Sequence, residues 1–157
     1  MNPIDISNVQ TPQQCLAPQT LTGNGDTTNC TGVNLSRYHG VEFQISVGAL
    51  GDSHSGSLKT DLIIEDSADN STYAAVTDID ALVLPAGVSM ETIASGILKA
   101  VDAAGDASQI YRVGYRGSKQ YVRIALDRTG NHSSGTPYSV TALRVLRFAG
   151  SNGVAPS

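Results

Sequence analysis

The chain has 157 residues, a formal charge of −4 at pH 7, no Trp, two Phe and six Tyr. That is one domain's length with a lean core. With 16 Gly and 15% charged residues, the composition excludes a helical bundle, a collagen-like chain and a disulfide-stapled miniprotein.

Residues 1–20 read as an extended N-terminal arm. Pro3, Pro12 and Pro18 keep it straight and Asp5 is its only charge; large apolar residues are few. Two readings stay open: an arm ordered against a neighbouring surface, or one folded back as an edge strand of its own sandwich. Met1 to Ala17 has neither a basic start nor an apolar centre, so no secretory signal is expected and Cys15 and Cys30 are expected as free thiols. Whether the two are bridged stays open at this point.

A β-sandwich domain is expected over residues 21–150. Gly23-Asn24-Gly25-Asp26 reads as a turn, and Val41 to Val47 alternates apolar and polar without a fault, as a half-buried strand does. Residues 48–57 read as a connection. Leu58, Thr60, Leu62 and Ile64 then line one face of a second strand, and Asp66 to Ser71 reads as a turn capped by its own Asp, Asn and Ser side chains. Residues 88–104 are ambiguous, with a short helix expected near 89–95 and a strand from about 97 to 102. Ile110–Tyr115 and Gln120–Leu126 read as a hairpin turned by Arg116-Gly117-Ser118-Lys119. Thr129 to Gly135 reads as a loop and Tyr138 to Phe148 as a long last strand, leaving residues 151–157 as a flexible tail. The fold class is therefore all-β: a single antiparallel sandwich, jelly-roll or immunoglobulin-like, with at most one short helix. Phe43, Ile45, Leu62, Ile64, Val122 and Ile124 are the expected core.

Charge is split along the chain. Residues 1–106 carry three basic and thirteen acidic side chains, residues 107–157 seven and one. Either basic strands pair with acidic ones across a sheet, or the subunit is dipolar and meets its partners in a set orientation. The basic residues form no run, so nucleic acid is not an expected partner. No apolar stretch approaches the ~20 residues that span a bilayer, so a membrane is not expected either.

Catalytic chemistry is not signalled. His39, His54 and His132 lack metal-ligand spacing and read as solvated turn residues, and no phosphate-cradling glycine motif or nucleophile elbow occurs. No catalytic residue, cofactor or metal site is expected.

Two segments carry a resemblance. Leu62-Ile63-Ile64-Glu65-Asp66-Ser67-Ala68-Asp69-Asn70-Ser71-Thr72-Tyr73 resembles the strand and S-x-D-x-S-x-Tyr turn of many tailed-phage virion proteins. Val113-Gly114-Tyr115-Arg116-Gly117-Ser118-Lys119-Gln120-Tyr121-Val122-Arg123 is similar to their V-G-Y-x-G-x-K-R-Y-V-R segment, with Gln120 where the pattern has Arg. With the closing strand, the likeness covers roughly residues 35–150. The family is that of small phage and gene-transfer-agent head proteins: capsid decoration (cement) proteins and head-fibre or spike base proteins. The resemblance implies a non-enzymatic virion protein, made in the host cytoplasm, that binds the outside of a capsid. Its implied partners are the major capsid protein and copies of itself. Candidate contacts are Pro12 and Pro18 on the arm with Tyr115, Arg116 and Arg123, although Tyr115, Tyr121 and Arg123 equally suit cross-strand pairs. The second reading is a carbohydrate-binding sandwich, which would need exposed aromatic rings.

Overall fold

The computed structural model describes residues 9–77, 80–83 and 93–146. The strands are β1 (Gln10–Asn24), β2 (Thr27–Asn29), β3 (Val33–Asn34), β4 (Tyr38–Val47), β5 (Lys59–Ser67), β6 (Ala74–Ala75), β7 (Ala81–Val83), β8 (Ile97–Val101), β9 (Gln109–Tyr115), β10 (Tyr121–Thr129) and β11 (Asn131–Leu146). They form two antiparallel sheets, so the all-β sandwich expected from the sequence is what the chain adopts.

One sheet runs β1-β11-β4-β9-β7. In the other, β10 and β5 are central: β2 and β3 share the free edge of β10, and β6 and β8 share that of β5. The pairings β5–β8, β4–β9, β2–β10 and β1–β11 are therefore nested. The chain is one long two-stranded ribbon folded over on itself, which is jelly-roll winding. Successive strands mostly lie in opposite sheets, and the alternation on β4 shows why they meet. Val41, Phe43, Ile45 and Val47 are buried while their neighbours are half-exposed, so one face of each sheet must find an apolar partner. All six expected core residues are fully buried.

Several local expectations change. The Ile110–Leu126 segment is not a hairpin, since β9 and β10 belong to different sheets. Gly117 is absent from the residues with positive φ, the conformation a two-residue hairpin turn needs. Residues 116–120 instead cross the roughly 10 Å between layers. The expected loop at 129–135 is mostly strand: Gly130 alone, at φ +82°, separates β10 from β11 and carries the chain from sheet to sheet. A Cβ there would meet the Ser57 carbonyl oxygen at 2.6 Å. Residues 10–20 are continuous with β1, which pairs with β11 from Gln10 to Asn24 and buries Cys15, Leu16 and Leu21. Their backbone is thus an edge strand of the sandwich, the second of the two readings.

The turn at 66–71 forms as expected. The Ser67 hydroxyl accepts from the Asp69 and Asn70 amides, Asp69 accepts from the Ser71 and Thr72 amides, and Asn70 takes φ +62°. The strand at 97–102 also appears, as β8. Residues 84–92 and 147–157 lie outside the described residues, and with them most of the expected helix near 89–95 and the tail. The described end of that helix, residues 93–95, is instead a turn: Ala94 bridges Ile97, with Ser95 at φ +53° and Gly96 at φ +75°.

Candidate functional site: a cleft between two loops

The described residues show a cleft of about 380 Å³ at one end of the sandwich. Leu35, Ser36 and residues 38–40 form one wall and residues 115–120 the other. The first wall is the turn before β4 with that strand's first three residues; the second is the last residue of β9 with the crossing to β10. Their proximity follows from the fold, because β4 and β9 pair with Val41 opposite Tyr115.

Internal bonds hold both walls. The Tyr115 hydroxyl donates to Asp66 at 2.7 Å and accepts from the Lys119 amide at 3.1 Å. Burial first, and the hydrogen bond to Asp66 second, push the Tyr115 phenol well above its ordinary range, so it stays a neutral donor. A Cβ on Gly117 would overlap the Tyr115 hydroxyl, so the crossing needs glycine here for space, not for turn geometry. The Arg116 amide donates to the Asp80 carbonyl at 2.7 Å and the Leu35 amide to the Gln120 carbonyl at 2.8 Å, which ties one wall to the other. The Tyr38 amide donates to the Leu35 carbonyl at 3.0 Å, and the Ser36 amide to Asn34 Oδ1 at 2.9 Å.

The candidate contacts separate in space. Tyr115 and Arg116 line the cleft, Tyr115 buried and Arg116 exposed. Pro12 lies at the same end of its sheet, opposite Leu143, which in turn pairs with Glu42. Pro18 is near the other end, beside Gln19, which pairs with Tyr138. Arg123 is on the other sheet, held by Glu65 at 2.8 Å directly across the β10–β5 ladder, with its guanidinium 3.9 Å from the centre of the Tyr73 ring. Both prolines are exposed on an edge strand, where a missing amide breaks no ladder when it faces outward.

The acidic and basic halves do pair across strands. Arg112 binds Glu42 through two bonds, at 2.6 and 2.9 Å, and this holds the Glu42 carboxyl below its ordinary range. Arg128 reaches Asp26 at 3.8 Å. The cleft residues Tyr38, His39 and Lys119 were not singled out from the sequence as contacts. The signal was two separate basic-and-aromatic turns, Arg37-Tyr38-His39 and Tyr115-Arg116, which only the jelly-roll winding brings face to face.

His132 is wholly buried, not solvated. Its ring stands edge-on to His54 with centroids 5.2 Å apart, and its Nε2 lies 3.1–3.2 Å from the Thr129 and Lys59 carbonyls. Among the described residues, no three His, Cys, Asp or Glu side chains gather as a metal-ligand set. Among the same residues, no helix is long and apolar enough to cross a membrane. Comparison with protein families, with curated proteins and with solved structures finds no match to this chain.

Proposed function

We propose that the chain is a non-enzymatic structural protein of a phage or phage-like virion. It binds the outside of the capsid shell as a decoration or head-fibre base subunit, alone or with copies of itself. The observation that carries this reading is the outer edge of β1. Gln10–Asn24 is a fifteen-residue edge strand with no charged side chain. Edge strands that face only water are commonly guarded by charge, Lys above all. Here Pro12 and Pro18 limit indiscriminate strand addition, while exposed Gln14, Ala17, Gln19 and Thr20 offer a neutral rim suited to lying against a larger protein surface. Jelly-roll winding, common among viral capsid and lectin domains, is a supporting analogy of fold only.

The test is co-sedimentation with purified empty phage shells from the same source as the protein. Wild-type protein should pellet with shells, and the pair Gln14→Lys and Gln19→Lys should keep its melting temperature yet stay in the supernatant. Failure of the wild-type protein to pellet would overturn the reading.

The cleft volume favours one second reading, a carbohydrate-binding module, because small-ligand sites start near about 300 Å³. Glycan-array binding without shell binding would select it.

A further inference from the structure

The chain has two cysteines, and the fold brings both to one place. Cys15 is the extra residue of a bulge in β1: Gln14 pairs with Thr141 and Leu16 with Val140, so Cys15 has no register partner on β11. A bulge re-aims a side chain, and here Cys15 and Leu16 are buried side by side, 5% and 8% exposed. Cys30 lies in the connection from β2 to β3 on the rim of the opposite sheet, and its amide donates to the Ile124 carbonyl of β10 at 2.9 Å. The Thr31 amide donates to the Cys15 carbonyl at 3.0 Å. That bond, added to the covalent geometry on either side of it, holds the Cα atoms of Cys15 and Cys30 within about 8 Å of each other. Both side chains belong to the same apolar cluster, and after burial itself the Cys15 sulfur is the next influence that pushes the Cys30 thiol up.

We propose that Cys15 and Cys30 form a disulfide site, open as a dithiol in reducing surroundings and closed in oxidising ones, that fastens the rim strand β1 to the opposite sheet. The oxidant is a small-molecule disulfide such as oxidised glutathione. The thiolate of one cysteine attacks a sulfur of that disulfide and expels one small thiol. The second cysteine attacks the protein sulfur of the mixed disulfide and expels the other. One S–S bond breaks and one forms, the protein loses two electrons and the small disulfide gains two, and the two cysteine protons leave on the released thiols. Disulfides span Cα separations of about 4.4–6.8 Å, inside the limit that the Thr31 bond sets. β1 is paired on one side alone, with β11, so a covalent tie at this rim holds it from a second direction. Attack needs a thiolate, which burial suppresses; exchange therefore passes through an opening of β1, and the closed bridge opposes that opening. The tie is independent of what the sandwich docks against.

The experiment unfolds the full-length protein in reductant and refolds it into buffers of graded reduced and oxidised glutathione. A parallel series is held in urea, and each sample is quenched with acid. Refolded monomer at the oxidising end should be two hydrogens lighter. Cleavage before Asp26 should leave the fragments carrying Cys15 and Cys30 joined until reductant is added. Opening the bridge should need about tenfold more reduced glutathione in native buffer than in urea, because a bridge that fits the fold is stabilised by it. Bridged protein should melt roughly 5–10 °C above the reduced form, and Cys30→Ala should show neither the mass loss nor that rise. The proposal is overturned by glutathione adducts, linked dimers or free thiols in place of the joined fragments. Equal redox midpoints in native buffer and urea, or a bridge that leaves the melting temperature unchanged or lowers it, would overturn it as well.

Discussion

The hydroxyl of Tyr115 in β9 donates to the carboxylate of Asp66 in β5 at 2.7 Å, and these residues belong to opposite sheets. One phenol thus ties the two layers together and, by accepting the Lys119 amide, shapes the crossing that walls the cleft. Tyr115→Phe would leave Asp66 and the Lys119 amide without this partner. It should cost about 1–3 kcal/mol and broaden the resonances of residues 116–120, measured by denaturant unfolding and ¹⁵N spectra. An unchanged midpoint would show that the tether contributes nothing.

Ile124 is fully buried on β10, paired with Ile64. Ile124→Ala should destabilise by about 2–5 kcal/mol, since large-to-small core changes leave a cavity. Urea midpoints with unchanged slope are the check. A loss under half of the lower bound would mean that the sandwich closes over the space.

Asp106, at the other end of the molecule, is one of the carboxyls, with Glu42, Asp52 and Asp69, that the fold holds below their ordinary range. Burial acts to raise its carboxyl, but Lys99 at 3.2 Å and the amides of Ala103 and Asp102 at 3.1 Å prevail and hold it below its ordinary 3.8. A carboxyl lowered by folding contributes stability that is complete above the unfolded value and disappears as pH falls through the folded one. Melting temperature should therefore drop as pH falls below about 4, and Asp106→Asn should flatten that drop while lowering stability at pH 7. Identical pH profiles for the two proteins would remove Asp106 from the account.

Cys15 and Cys30 are free and buried. Burial pushes the Cys15 thiol up to about 11 and the Cys30 thiol up to about 12. Because the thiolate is the reactive form, neither should alkylate with iodoacetamide at pH 8 in native protein, and both should in denaturant. Mass spectrometry reads this directly; rapid native labelling would mean that β1 detaches from the sheet.

The strands whose one face meets water were legible, because alternation at Val41–Val47 and around Leu62 and Ile64 reports burial directly. The 66–71 turn was legible for a local reason, its side chains bonding their own backbone. Non-local winding was not. Nothing within Tyr115-Arg116-Gly117-Ser118-Lys119 distinguishes a hairpin from a crossing between sheets; Asp66, 49 positions before Tyr115, decides it. Residues 10–20 looked too poor in apolar side chains to join the core, yet their backbone is satisfied by pairing with β11, a contribution hydropathy does not register. The cleft was invisible for the same reason, being built from turns some 80 positions apart that meet only through β4 and β9.

The nested ribbon also dictates an order of assembly. β5 and β8 lie nearest in sequence among its paired strands, and β1 and β11 lie farthest apart. Closing β1 onto β11 directly would carry the largest loop entropy in the molecule, whereas each pairing already made shortens the loop left for the next. Folding is thus expected to zip outward from the β5–β8 tip. The neutral strand that carries the proposed shell contact would lock last and be the first to open. In pulse-labelling hydrogen exchange, amides of β1 should gain protection after those of β5 and β10.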